Sequence, residues 1–173
     1  MKNLLTLTLA SVLLIGIIPG CKKENTGPVG PPVPSDKVDV LTINYSSQTF
    51  TGTKNYVITN ISKERIDSSL VLAYYNPATE DVTSWYPVPG SGPNAAYETR
   101  NFIYQSSTAP SAYTMGVRLM TPAGAAYGTQ VTFTKFKIII IRSATLVFAG
   151  RGGEPLVDLS DYYAVKAFFG LKD

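Results

Sequence analysis

The segment Phe136-Lys137-Ile138-Ile139-Ile140-Ile141-Arg142 constrains the fold more than any other stretch of this chain. Four consecutive isoleucines are stiff at χ1 and favour a pleated strand over a helix. Cations bracket the run, and it falls far short of the roughly 20 apolar residues that a membrane-crossing helix needs. Side chains on a strand alternate between two faces, so isoleucine on both parities demands special treatment. Just upstream, Val131 and Phe133 occupy one parity, and Phe136, Ile138 and Ile140 the other. A β-bulge near Thr134-Lys135 would bring the two sets to one side. Alternatively, the Ile138 to Ile141 end is covered on both faces.

The chain around this run has the same β character. Val38 to Tyr45, Tyr56 to Ile61, Leu70 to Tyr75, Val82 to Val88 and Tyr97 to Tyr104 are rich in β-branched and aromatic residues. Clusters of Asn, Pro, Gly and Ser separate them, as turns do. Tyr113, Met115, Val117 and Leu119 alternate with Thr114, Gly116, Arg118 and Met120. That pattern predicts a strand with one face in the core and the other largely in water. Ser62 to Ile66 reads as one helical turn capped by Ser62. Asp161 to Leu171 reads as a short helix capped by Ser160 or Asp158, with Val165, Phe168 and Phe169 forming a narrow stripe for a sheet edge. Residues 37–173 are therefore expected to form a single mainly β domain, an antiparallel sandwich or barrel-like fold with a short C-terminal helix.

The N-terminal part has a different composition. Met1-Lys2-Asn3 followed by the apolar run Leu4 to Ile18 predicts a secretory leader over residues 1–20. Ile18-Pro19-Gly20-Cys21 resembles a lipobox, in which signal peptidase cuts between Gly20 and Cys21 and the cysteine carries lipid. Cys21 is the chain's only cysteine, so no disulfide is expected. Residues 21–36 then form a Gly/Pro-rich tether containing Gly27-Pro28-Val29 and Gly30-Pro31-Pro32. A collagen triple helix needs a sustained glycine repeat. Two triplets instead suggest a polyproline II spacer, with eight residues reaching roughly 25 Å. Lys22 follows the cysteine where an inner-membrane retention signal would place Asp, which favours the outer membrane.

A lipobox cysteine followed at once by Gly-Pro triplets resembles the collagen-like lipoproteins of Bacteroidetes. The resemblance continues through Ile61-Ser62, Ser69 to Tyr75, Trp85-Tyr86-Pro87-Val88-Pro89, Phe136 to Ile141 and Val157 to Tyr162. It implies an outer-membrane location and a β-rich domain, and brings no activity with it.

The composition excludes several chemistries. There is no histidine, which removes Ser-His-Asp and Cys-His nucleophilic catalysis and the commonest neutral-pH base. No Ser-x-x-Lys occurs. Gly150 to Pro155 is glycine-rich, but Pro155-Leu156-Val157 looks extended where a phosphate loop needs a helix. Glu80-Asp81 reads as a solvated loop tip and Asp158 as a cap, so neither catalytic residues nor a metal site nor a cofactor is expected. A net charge of +3 with scattered charges does not call for nucleic acid. The remaining candidate is aromatic: Tyr74, Tyr75, Trp85 and Tyr86 form a candidate binding patch for a protein or glycan partner, weighed against core or sheet-edge packing. The expected function is a membrane-anchored lipoprotein, held through lipid on Cys21, with a non-catalytic binding or envelope-structural domain. The alternatives are a carbohydrate-binding accessory module of a glycan-uptake system and, more remotely, a hydrolase using carboxylates.

Overall fold

The computed structural model describes residues 39–142 and 157–172. The leader, Gly20, Cys21, the tether and the Gly150 to Pro155 segment lie outside the described residues.

The chain runs through β1 (Val40–Tyr45), β2 (Gln48–Phe50), β3 (Thr53–Ile58), α1 (Lys63–Asp67), β4 (Ser69–Pro77), β5 (Tyr86–Val88), β6 (Gly90–Ser91), β7 (Glu98–Gln105), β8 (Tyr113–Met120), β9 (Val131–Arg142) and α2 (Tyr162–Phe169). One sheet has the order β1-β9-β4-β5, with β2 also pairing β9. The other has the order β3-β8-β7-β6. Every pairing is antiparallel. The two sheets make a β-sandwich, as the strand spacing predicts. The chain passes between the sheets four times, after β2, β3, β5 and β8, and two of these passages are tight corners. One lies after β2, where Gly52 takes a positive φ of 73° open to glycine at little cost. The other lies at Pro89, between β5 and β6.

Strand β9 uses both devices that its sequence suggested. Asn76 pairs with Lys135 but Pro77 pairs with Phe133, so Thr134 has no counterpart on β4. Proline has no N–H to offer the ladder, which suits Pro77 to this irregular step. The Thr134 hydroxyl instead donates to the Asn76 carbonyl at 2.9 Å. This bulge turns Phe133 and Phe136 to the same side, with rings 6.2 Å apart and 8° from parallel. Tyr75 of one sheet then stacks on Phe133 at 4.0 Å, and Tyr56 of the other on Phe136 at 3.8 Å. Four rings thus fill the space between the sheets together with Ile138 and Ile140.

Ile139 and Ile141 point the opposite way and are equally buried. Their cover is α2, which packs Tyr162, Val165 and Phe169 against them and against Tyr74. The helix therefore covers the face of the central strands, where a sheet-edge position was expected from its narrow stripe. Its flank is wider than the stripe suggested because Tyr162 joins it and the neighbouring Leu159 and Leu171 pack alongside. Asp161 caps it, accepting from Tyr163 N and Ala164 N. The expected caps are displaced: Asp158 is occupied one turn earlier, accepting from the amide and hydroxyl of Ser160. Ser62 caps α1 as predicted, accepting from Arg65 N at 3.2 Å.

One expected strand is shortened. Val82 to Trp85 is a turn, and only Tyr86–Val88 pairs. The Asp81 carboxylate accepts from the amide and hydroxyl of Thr83, which favours a turn over an extended chain. The buried Asn76 amide donates to the carbonyls of Asp81 and Ser84, both at 2.7 Å, and pins the loop to the sheet.

Candidate functional site

The four aromatic residues singled out in the sequence do not share a surface. Adjacent residues on a strand face opposite ways, so Tyr74 goes under α2 and Tyr75 goes between the sheets; both are 0 % exposed. The Tyr74 hydroxyl donates to Leu159 O at 2.6 Å. Tyr86 packs against Tyr75 and the inter-sheet core. Trp85 packs on Tyr162 of α2, with ring centroids 4.6 Å apart. One aromatic platform built from Tyr74, Tyr75, Trp85 and Tyr86 is thus corrected to two sets of packing contacts, on opposite faces of the same sheet.

Trp85 has a further neighbour. Lys137 is 6 % exposed on β9, with its ammonium 5.1 Å from the Trp85 ring centre and 4.7 Å from that of Tyr162. The ammonium also donates to the Tyr162 hydroxyl, and no carboxylate among the described residues forms an ion pair with it. Two aromatic faces and one hydroxyl replace only part of a lysine's hydration. Replacing a buried charge by an apolar chain of similar volume is often neutral or stabilising. Lys137→Met is therefore expected to keep or raise stability in denaturant unfolding. Tyr162→Phe, which strands the ammonium, is expected to lose about 1–3 kcal/mol. If Lys137→Met costs as much as Tyr162→Phe, the charge itself holds the helix in place.

An exposed pair of aromatic rings lies on the other sheet. Along β7, Arg100, Phe102 and Tyr104 face outward while Ile103 packs into the core. Phe102 is 40 % and Tyr104 44 % exposed, with rings 6.0 Å apart and 16° from parallel. The backbone beneath them is built for this. Phe102 pairs with Gly116 of β8, and a Cβ at that glycine would fall 2.2 Å from the Phe102 ring. Glycine inside a strand marks a close approach of this kind. Phe102 therefore lies flat over β8 and shields its outer face. That is why Thr114 and Gly116 are buried where the alternating pattern predicted water.

Arginines border the rings. Arg100 pairs directly with Arg118 across β7 and β8. The Arg118 guanidinium stands 5.7 Å over the centre of Phe102. Both arginines are exposed, and neither has an ion-pair partner among the described residues. A cleft of about 290 Å³ is lined by Arg100, Asn101, Phe102, Arg118 and Met120. A second, of about 330 Å³, continues it past Arg100 to Glu98, Ser91 and Gly90. Stacking rings and two cations can hold a flat polar ligand; nothing among them supplies a base of ordinary neutral-pH strength. Among the described residues, no three metal-ligating side chains converge.

No family model, curated protein or solved structure matches this chain.

Proposed function

We propose that this chain is a lipid-anchored envelope protein whose β-sandwich binds carbohydrate without transforming it, at the outer face of the β3-β8-β7-β6 sheet. The observation carrying this reading is the exposed Phe102–Tyr104 pair seated over Gly116. A sugar ring offers an apolar C–H face to an aromatic plane, and its rim of hydroxyls suits the arginines. The anchoring half rests on the Ile18 to Cys21 lipobox in the sequence. Lipid on Cys21 would hold the domain at the outer membrane, with residues 22–36 as the tether. A purely architectural role, without a soluble ligand, leaves the two uncovered rings without a purpose.

The anchor is tested by labelling cells with a clickable fatty acid. The parent protein is expected to take up label and Cys21→Ser to take up none. Equal labelling of Cys21→Ser would remove the anchor from the reading. The binding half is tested by calorimetric titration of the soluble domain with a panel of oligosaccharides. Calorimetry suits this site better than tryptophan emission, because Trp85 sits under α2 on the opposite sheet. Binding that survives in Phe102→Ala would place the ligand elsewhere.

A further inference from the structure

We propose that the ligand is an acidic glycan, one bearing uronate carboxylates or sulfate groups, held by Arg100 and Arg118 while its sugar rings lie on Phe102 and Tyr104. This rests on the carbohydrate-binding reading above and names its substrate class. Like charges placed directly opposite each other on a sheet destabilise it. Arg100 and Arg118 are such a pair, exposed, and without an ion-pair partner among the described residues. Glu98 lies two residues along the same strand and face, opposite Ser91 and Met120. It borders the second cleft with Arg100, yet it forms no ion pair with either arginine. An anion between the two guanidiniums converts the repulsion into two charge-assisted contacts, and the planar fork of arginine matches carboxylate and sulfate oxygens. The Arg118 group over Phe102 is positioned by that ring, so the anion and the stacked sugar would be held by one connected set of side chains.

The same surface fits nucleic acid less well. Nucleic-acid affinity comes from neutralising a train of phosphates, whereas two arginines at one register position address one or two anionic groups. The net charge of the whole chain is only +3.

The test is calorimetric titration of the domain with tetrasaccharides of galacturonate, mannuronate and sulfated chondroitin. Methyl-esterified galacturonate, a neutral cello-oligosaccharide and oligothymidylate serve as the comparison ligands. At least one acidic glycan is expected to bind, with affinity falling as salt is raised. Masking its carboxylates by esterification is expected to weaken binding roughly tenfold or more, as are Arg100→Ala and Arg118→Ala singly. Phe102→Ala should abolish binding, while Val82→Ala, far out on an exposed loop, should change nothing. Thermal unfolding of each variant confirms that it remains folded. Equal binding of esterified and free galacturonate would overturn the acidic class and leave the glycan reading standing. Absence of binding to every glycan would overturn both. Tighter binding of oligothymidylate than of any glycan would replace the ligand class by nucleic acid.

Discussion

Ile140→Asp is expected to unfold the domain or drive it into aggregates. Ile140 is 0 % exposed and sits between the sheets, paired with Leu41 on one side and Val71 on the other. The buried residues that share the inter-sheet core with it are aromatic and aliphatic. A carboxylate placed there is either buried without a partner or must expel the central strand. Either outcome costs several kcal/mol, against a total stability of about 5–15 kcal/mol for a domain of this size. Val82→Asp, at a site 65 % exposed, is expected to shift stability by about 0.5 kcal/mol or less. Circular dichroism melts of the two variants make the comparison. An Ile140→Asp protein that melts like the parent would mean the isoleucine run is not core.

The isoleucine run shows how far a sequence goes. Parity alone required a bulge, double cover or both near Thr134, and β9 has both. What parity does not carry is which element does the covering. The helix over Ile139 and Ile141 comes from residues 162–169, joined to β9 through a segment rich in glycine. Nothing local in either stretch names the other. The same limit explains the helix cap. Ser160, Asp158 and Asp161 all have capping side chains, and three-dimensional context decides: Asp158 is engaged by Ser160 in its own turn, leaving Asp161 to the helix. Val82 to Trp85 reads as strand because valine and tryptophan favour strands, but the Asn76 and Asp81 side chains offer the backbone turn partners that outweigh propensity.

The candidate site was legible in pieces. Clusters such as Tyr74-Tyr75 draw the eye, yet neighbours on a strand always diverge, and a sheet with a helix on its back buries both. The useful signal was an alternating one: Arg100, Phe102 and Tyr104 on one parity, with Ile103 on the other. Gly116 in the middle of an otherwise regular strand was the second half, because a missing side chain there makes room for one from a neighbour. The register that sets Phe102 opposite Gly116, and Arg100 opposite Arg118, depends on the turn between β7 and β8, and only the structure supplies it.

Raising the pH is expected to unfold the domain cooperatively between about pH 11 and 12, driven by its core tyrosines. Tyr56, Tyr74 and Tyr75 are at most 2 % exposed. Burial holds each phenol well above its ordinary value, and for Tyr74 the nearby Asp158 and Asp161 carboxylates add to the shift. In the unfolded chain the same groups ionise near 10.0. Below that value both states are protonated and the preference for the neutral phenol is fully available to the fold. Above it the unfolded state releases protons that the folded state retains, so stability falls as pH rises. Each such tyrosine contributes about 1.4 kcal/mol per pH unit. Three of them take away about 8 kcal/mol by pH 12, comparable with the whole stability of a domain. The part of the tyrosinate absorbance that belongs to the buried phenols should therefore appear together with loss of the far-ultraviolet β signal. Tyr56→Phe sharpens the test, because the Tyr56 hydroxyl has no hydrogen-bond partner among the described residues. Removing it should leave stability at neutral pH unchanged or higher, and should move the alkaline midpoint upward. Tyrosinate absorbance that reaches the amplitude of all 11 tyrosines while the β signal persists would show these phenols ionising inside the folded domain, and the burial argument would fail.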